Sequence, residues 1–186
     1  MAQLSYTAIA SLDGFIEDEG GRFDWAEPEA EVHAFINDRQ RHVGTYLYGR
    51  RMYEVMAGWE TDPSLATASP LMRDFAEIWQ AAEKVVFSTT LDRVVTAHTR
   101  LERTLEPEAI RRMKASATRD LAVSGPGLAT HAFRAGLVDE LDLYLVPILV
   151  GGGKRALPSQ VLQRLELLDQ VRFDSGVVHV RYRVLP

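Results

Sequence analysis

The run Leu121-Ala122-Val123-Ser124-Gly125-Pro126-Gly127-Leu128-Ala129-Thr130 passes from a short apolar segment through Ser-Gly-Pro-Gly straight into a helical pattern. An apolar run of this length reads as a buried strand, and residues 128–135 read as a helix stopped at Gly136, where a left-handed residue suits a helix end. Glycines at such a junction let backbone approach a pyrophosphate closely. The new helix then offers unpaired N–H groups and the positive end of its dipole. A purely structural turn is the alternative.

The spacing Gly125-x-Gly127-x-x-Thr130 resembles a Rossmann fingerprint that lacks its last glycine. That fingerprint belongs after the first strand of a βαβ unit, whereas here it arrives late and a hairpin-rich segment follows. A Rossmann domain is therefore disfavoured, and the phosphate physics still holds.

Two further strand ends have similar chemistry. Leu47-Tyr48-Gly49-Arg50-Arg51-Met52-Tyr53-Glu54 runs from a strand into a helix opened by two guanidinium groups, which can bind phosphate through paired hydrogen bonds. Val85-Val86-Phe87-Ser88-Thr89-Thr90 ends in three hydroxyls able to meet a ribose or a phosphate. Ser and Thr are also ordinary turn residues, and an Arg pair can simply be solvated. In an open α/β sheet, ligands sit outside the carboxyl ends of the strands. Three such ends suit one long phosphorylated ligand, and a dinucleotide is the economical choice.

Outward from these turns, strands are expected over residues 4–11, 43–48, 84–88, 94–97, 120–123 and 141–149. Helices are expected over 30–41 and 107–117, with a short one carrying Met52, Val55 and Met56. The helix over 70–82 has Ser69 as N-cap, Pro70 at its first position, and Leu71, Met72, Phe75, Ile78 and Trp79 on one stripe. Asp174-Ser175-Gly176 between 171–173 and 177–184 marks a hairpin. Residues 17–29 read as a polar loop, and Gly151-Gly152-Gly153 as a structural turn. Strands and helices alternate first and strands pair later. This order predicts an α/β sheet with antiparallel strands at its end, in a single domain over 1–186.

The composition excludes several classes. The chain has 186 residues, 46% of them hydrophobic and 25% charged, as in an ordinary globular protein. The absence of Cys rules out disulfides, thiolate metal sites and the zinc-deaminase signature. Net charge is −5, from 21 basic and 26 acidic residues, and no basic block exceeds two residues, so no nucleic-acid surface is expected. No histidine-and-acid spacing points to a metal. No Gly-x-Ser-x-Gly elbow points to hydrolysis. The opening MAQLSYTAIASLDG lacks a basic segment followed by an apolar run. The longest apolar stretch, residues 143–150, is too short to span a bilayer and contains Pro147. The chain reads as cytoplasmic, with a small-molecule substrate. Residues 141–150 and the terminal hairpin could pair in a homodimer, with core burial as the alternative.

Ser11-Leu12-Asp13-Gly14-Phe15-Ile16, Gly49 to Glu54, Ser124 to Gly127, and Pro147-Ile148-Leu149-Val150-Gly151-Gly152-Gly153 occur in that order. The ordered set resembles the dihydrofolate reductase-like family, typified by the C-terminal reductase domain of bacterial riboflavin biosynthesis and nearest its small stand-alone members. The resemblance covers residues 4–184. It implies a three-layer fold with a mostly parallel central sheet, antiparallel C-terminal strands and helices on both faces.

It also implies NADPH as cofactor and hydride transfer to a small pterin-, folate- or aminopyrimidine-like heterocycle. On this likeness Gly49, Arg50, Arg51 and Met52 hold the adenosine-side phosphates, with Arg50 or Arg51 near the 2′-phosphate. Ser88, Thr89 and Thr90 line the adenosine end, and Gly125, Pro126, Gly127 and Leu128 follow Ser124 along the pyrophosphate. The segment from Ala8 to Gly14 runs beside the nicotinamide. The position of the family's acid on the first helix falls near His33, with Glu29 and Glu31 in the preceding turn.

Three side chains are candidates for work on the substrate. Asp13 could bond substrate or order the loop. Trp25 could stack on a flat ring or anchor its loop. His33 could supply a proton or pack on its helix. The alternative to a reductase is an NADP(H)-binding module with little or no catalysis.

Overall fold

The central strands carry unbroken buried runs, Tyr46 to Tyr48, Lys84 to Val86, Leu121 to Val123 and Leu141 to Tyr144, so the sheet needs cover on both faces. The computed structural model describes residues 1–186. In chain order its strands are β1 (Leu4–Ser11), β2 (Phe15–Glu17), β3 (Val43–Gly49), β4 (Glu83–Phe87), β5 (Thr99–Glu102), β6 (Asp120–Ser124), β7 (Glu140–Val146), β8 (Lys154–Arg155), β9 (Leu165–Arg172) and β10 (Val178–Val184). Its helices are α1 (Ala30–Gln40), α2 (Arg50–Met56), α3 (Gly58–Thr61), α4 (Pro63–Thr67), α5 (Pro70–Ala81), α6 (Pro107–Ser116) and α7 (Pro126–Arg134). No helix is long and apolar enough to cross a membrane.

Eight strands form one sheet in the order β5-β4-β3-β6-β1-β7-β10-β9, and β2 pairs with β8 in a small second sheet. From β5 to β7 all neighbours are parallel, while β10 pairs antiparallel with both β7 and β9. On one face Leu4, Tyr6, Leu47, Val85, Leu121 and Val123 pack with Ile110 of α6 and Ala129, Ala132 and Phe133 of α7. On the other, Tyr46, Tyr48, Val86 and Ala122 meet Phe75 and Trp79 of α5, and Tyr144 meets Val32 of α1. Helices thus cover both faces, in three layers.

α5 forms as the sequence dictates. The Ser69 hydroxyl accepts from the Met72 amide at 3.1 Å, and Pro70 occupies a position with no hydrogen bond to lose. Its buried stripe inserts Trp79, whose indole N–H donates to Tyr48 Oη at 3.0 Å. Side chains of this size contribute about 2–3 kcal/mol each when taken fully from water.

Several expected boundaries move, each for a local reason. Residues 94–97 are a loop, not a strand, because the Tyr53 hydroxyl takes the Val95 and Thr96 amides at 2.7 and 3.2 Å. The edge strand forms at β5 instead. β7 stops at Val146, where Pro147 has no N–H to donate, and the Ile148 carbonyl accepts from Leu12 at 2.9 Å. α7 begins at Pro126, so Pro126 and Gly127 lie in its first turn and not in a preceding loop. The hairpin's first strand extends back to Leu165, β2 ends at Glu17 where the polar loop starts, and that loop contains a 3-10 turn, Asp24–Ala26.

Candidate dinucleotide cleft and ring pocket

The six parallel strands bring their carboxyl ends to one edge of the sheet, and the chain order reverses there. After β1 it skips a place to β3, moves outward through β4 and β5, then returns to insert β6 between β3 and β1. β1 stays in register with β7 from Ser5 to Ser11 but meets β6 only from Leu4 to Tyr6. From Thr7 onward β1 has no ladder partner on the β6 side, because β6 ends at Ser124 and the chain turns through Gly125 into α7. Such a switch point is where open α/β sheets leave a crevice for ligands.

Gly125 caps α7 with φ of +91°, a conformation that side chains rarely adopt. No side chain caps this helix. The first bond to its N-terminal turn runs from the Ala129 amide to the Gly125 carbonyl, which leaves the Gly127 and Leu128 amides without an acceptor. A methyl group added at Gly127 would meet nothing within 4 Å. The surface there is open, small and positively polarised. Ser124 ends β6 half-buried, and the Thr130 hydroxyl turns back to the Pro126 carbonyl at 2.7 Å.

α2 starts beside α7. A Cβ at Gly49 would lie 4.0 Å from Leu128 Cβ, and one at Gly125 would lie 3.3 Å from Met52 Cβ. Arg50 bridges outward, donating to Glu54 at 2.7 Å and to the Thr90 hydroxyl at 3.1 Å. Arg51 is more exposed and lies 3.7 Å from Glu17. Thr89 and Thr90 are exposed, whereas the Ser88 hydroxyl turns inward and accepts from the Thr90 and Leu91 amides. Arg103 braces this turn from β5's side, donating to the Ser88 and Leu91 carbonyls at 3.0 and 2.9 Å. Nothing in the spacing of Arg103 signals that neighbourhood.

At the β1 end, Asp13 works as a clamp. Its carboxylate accepts from the Ser11 hydroxyl at 2.6 Å and from the Gly151 and Val150 amides at 2.7 and 3.1 Å. These bonds, with Ser11 first and Gly151 next, hold its pKa down to about 2, so it stays ionised and has no proton to give near neutrality. Of its two candidate roles, ordering the loop is the one the geometry displays. Gly14 follows at φ of +88°, its carbonyl accepting from Ala156 at 2.9 Å, and Ala8 lies on the α7 side of β1. The glycines at 151–153 do more than turn the chain. A Cβ at Gly153 would fall 2.0 Å from the Glu17 carbonyl oxygen, so loop 17–22 rests directly on them.

A cavity of about 140 Å³ opens at the ends of β1 and β7, on the α1 face. Ile9, Val32, Tyr144, Val146 and Val177 give it apolar walls, Trp25 contributes an indole, and Glu27 and Glu29 are the charged residues that line it. The Tyr144 hydroxyl and the Trp25 indole N–H are sealed from water and have no hydrogen-bond partner. Burial pushes the Tyr144 phenol far above its usual range, keeping it protonated. Behind it, Asp142 accepts from Arg39 at 2.9 Å and sits 2.9 Å from His179 Nε2, which stiffens this wall.

His33 does not reach the cavity. It packs against the rings of Trp59 and Phe75 with centroids 6.5 and 6.0 Å away, and burial lowers its pKa. Of the three substrate-side candidates, only Trp25 lines the cavity. Nothing in the sequence marks Tyr144 or Glu27, because an apolar strand and a polar loop give no sign that they meet.

This arrangement matches known proteins along its whole length. The uncharacterized protein YyaP of Bacillus subtilis strain 168 is 29% identical over 183 residues, covering 92% of this chain and 89% of that protein. A protein of Shewanella sp. PV-4, assigned by its name to riboflavin biosynthesis, superposes with a TM-score of 0.75 at 19% identity, covering all of both chains. A pyrimidine reductase-like protein of Corynebacterium diphtheriae gives 0.66 at 13%, covering all of this chain and 92% of that one. The diaminohydroxyphosphoribosylaminopyrimidine deaminase/5-amino-6-(5-phosphoribosylamino)uracil reductase of Thermotoga maritima gives 0.65 at 14%, and this chain spans 57% of its length. The solved structures share the fold. The model of the RibD C-terminal domain family matches residues 2–179, and the chain belongs to that family.

Proposed function

We propose that the protein is an NADPH-dependent reductase of a small heterocyclic ring. The observation that carries this reading is the crevice where β1 parts from β6, with the uncapped α7 terminus on one side and a ring-sized cavity on the other. From β4 to β1 the sheet edge spans three strand spacings, roughly 14 Å, the scale of an extended dinucleotide. Along it stand, in order, the Arg50–Thr90 pair, the paired starts of α2 and α7, and the open flank of β1.

The residues present fit the cofactor. The Gly127 and Leu128 amides would hold its pyrophosphate, Arg50 and Arg51 its 2′-phosphate, and the flank from Ala8 to Gly14 its nicotinamide. When bound, it supplies a hydride. The chain's own work is to position the ring and exclude water, because bringing reactants together in a dry site removes much of the barrier. Ile9, Val32 and Val146 exclude water. Trp25 and Tyr144 orient the ring, and Asp13 holds the loops that close over β1.

Fluorescence titration with NADPH and NADH tests the cofactor. NADPH is expected to bind at least about tenfold more tightly, the scale of a charge-assisted arginine contact. Arg50→Ala should erase most of that preference. Equal affinity for the two cofactors in the wild-type protein would overturn the assignment.

One observation favours a second reading. Asp13 is committed to the backbone and His33, the expected proton source, to helix packing, so neither is free at the cavity. A binding module without turnover predicts NADPH held but not consumed across a panel of pterins and aminopyrimidines. Oxidation of NADPH dependent on any one of them excludes it.

A further inference from the structure

Granted the reductase reading, we infer that the ring pocket takes a flat nitrogen heterocycle bearing no phosphate or other anionic group. The Thermotoga relative's name gives it a substrate with a phosphoribosyl arm. The pocket of this chain has nothing to receive one.

No lysine, arginine or histidine lines the cavity, and its two charged residues, Glu27 and Glu29, are both acids. Just beyond, Glu31 accepts from the Asp174 amide at 3.3 Å, which adds two more acids where α1 meets the hairpin turn. Two cations on the adjoining loops already have partners. Arg22 pairs with Asp18 at 2.8 Å, and Arg155 lies over the Phe15 ring at 5.4 Å. Arg39, the guanidinium nearest the back wall, is bound to Asp142. A phosphate dianion held about 6 Å from two carboxylates is disfavoured on the order of tenfold after screening. An uncharged or protonated ring meets no such barrier.

The walls select further. Ile9, Val32 and Val146 offer apolar faces, and the Trp25 indole is itself a flat surface. The Tyr144 hydroxyl and the Trp25 N–H are unsatisfied donors, a costly state for buried polar atoms. A ring with two acceptors, carbonyl oxygens or ring nitrogens, supplies both partners.

Calorimetry on the intact protein saturated with NADPH tests this, using two matched pairs of probes: neopterin and its monophosphate, and 5-amino-6-(ribosylamino)uracil and its 5′-phosphate. The unphosphorylated member of at least one pair should bind at least tenfold more tightly. Tyr144→Phe and Trp25→Phe should each weaken that binding about three- to tenfold, the scale of one hydrogen bond. The double variant E27Q/E29Q should narrow the gap within the pair. NADPH affinity, measured separately on each variant, should stay put and also shows that the variant is folded.

The inference is overturned if the phosphorylated member binds as well or better, or if no ring binds while NADPH does. It is equally overturned if E27Q/E29Q leaves the gap unchanged. Failure of the wild-type protein to bind NADPH would instead sink the reductase reading itself.

Discussion

Replacing Gly127 with alanine should stabilise the protein and cripple cofactor binding at once. Gly127 lies in the first turn of α7 without a positive φ, and its added methyl group meets nothing within 4 Å. Glycine in a helix costs roughly 0.5–1 kcal/mol relative to alanine. In a chain of this size, a gain of that order raises Tm by about 1–4 °C. The same methyl group occupies the space through which a pyrophosphate would approach the Gly127 and Leu128 amides. Steric intrusion into a fitted contact costs about 1–3 kcal/mol, which is five- to 150-fold in affinity. Calorimetric melting of the apo protein and NADPH titration of the same sample read the two effects separately. Their opposite signs matter, because a damaged fold lowers both. A higher Tm with NADPH affinity unchanged within twofold would refute the placement of the phosphates at α7.

The clamp at Asp13 gives a pH signature. Its folded pKa of about 2 lies below the ordinary 3.8, so its contribution is present above 3.8 and is lost as pH falls toward 2. The Tm advantage of the wild type over Asp13→Asn should therefore be full at pH 5–7 and vanish near pH 2. An advantage undiminished at pH 2 would contradict the clamp. Gly153→Ala forces a Cβ to within 2.0 Å of the Glu17 carbonyl oxygen at φ of +129°, so it should cost about 3 kcal/mol or more in urea unfolding. A loss below about 1 kcal/mol would mean that loop 17–22 is not seated on the glycines.

Where chemistry and pattern coincide locally, the chain can be read directly. Ser69, Pro70 and the stripe to Trp79 fix α5 in the sequence and in space, because cap, first turn and buried face all fall within a dozen residues. Gly49 and Gly125 are legible for the same reason, each marking a strand that stops and a helix that starts. What was hidden depends on distant partners. β9, Leu165–Arg172, shows no clean alternation because an edge strand with both sides largely exposed places no demand on its pattern. Val95 and Thr96 read as strand until Tyr53, forty-odd residues away, takes their amides. Tyr144 looked like one more core residue of an apolar strand, and only the meeting of β7, α1 and the Trp25 turn makes it a cavity wall. His33 misled for the complementary reason. Its helix does border the pocket, but its side chain points to α5.

The central position of β1 has a consequence for how the protein is made. β1 has both its sheet neighbours, β6 and β7, more than a hundred residues further along the chain. Ser5 bonds to Leu121 across 116 residues. At about 5–20 residues per second, β1 waits on the order of 6–23 s for its first partner. Throughout that interval Leu4, Tyr6, Ala8 and Ala10 have no sheet to enter, although β3, β4 and β5 can already pair among themselves. The sheet therefore builds from its β5 margin inward, and the seam beside β1 waits until β6 has emerged.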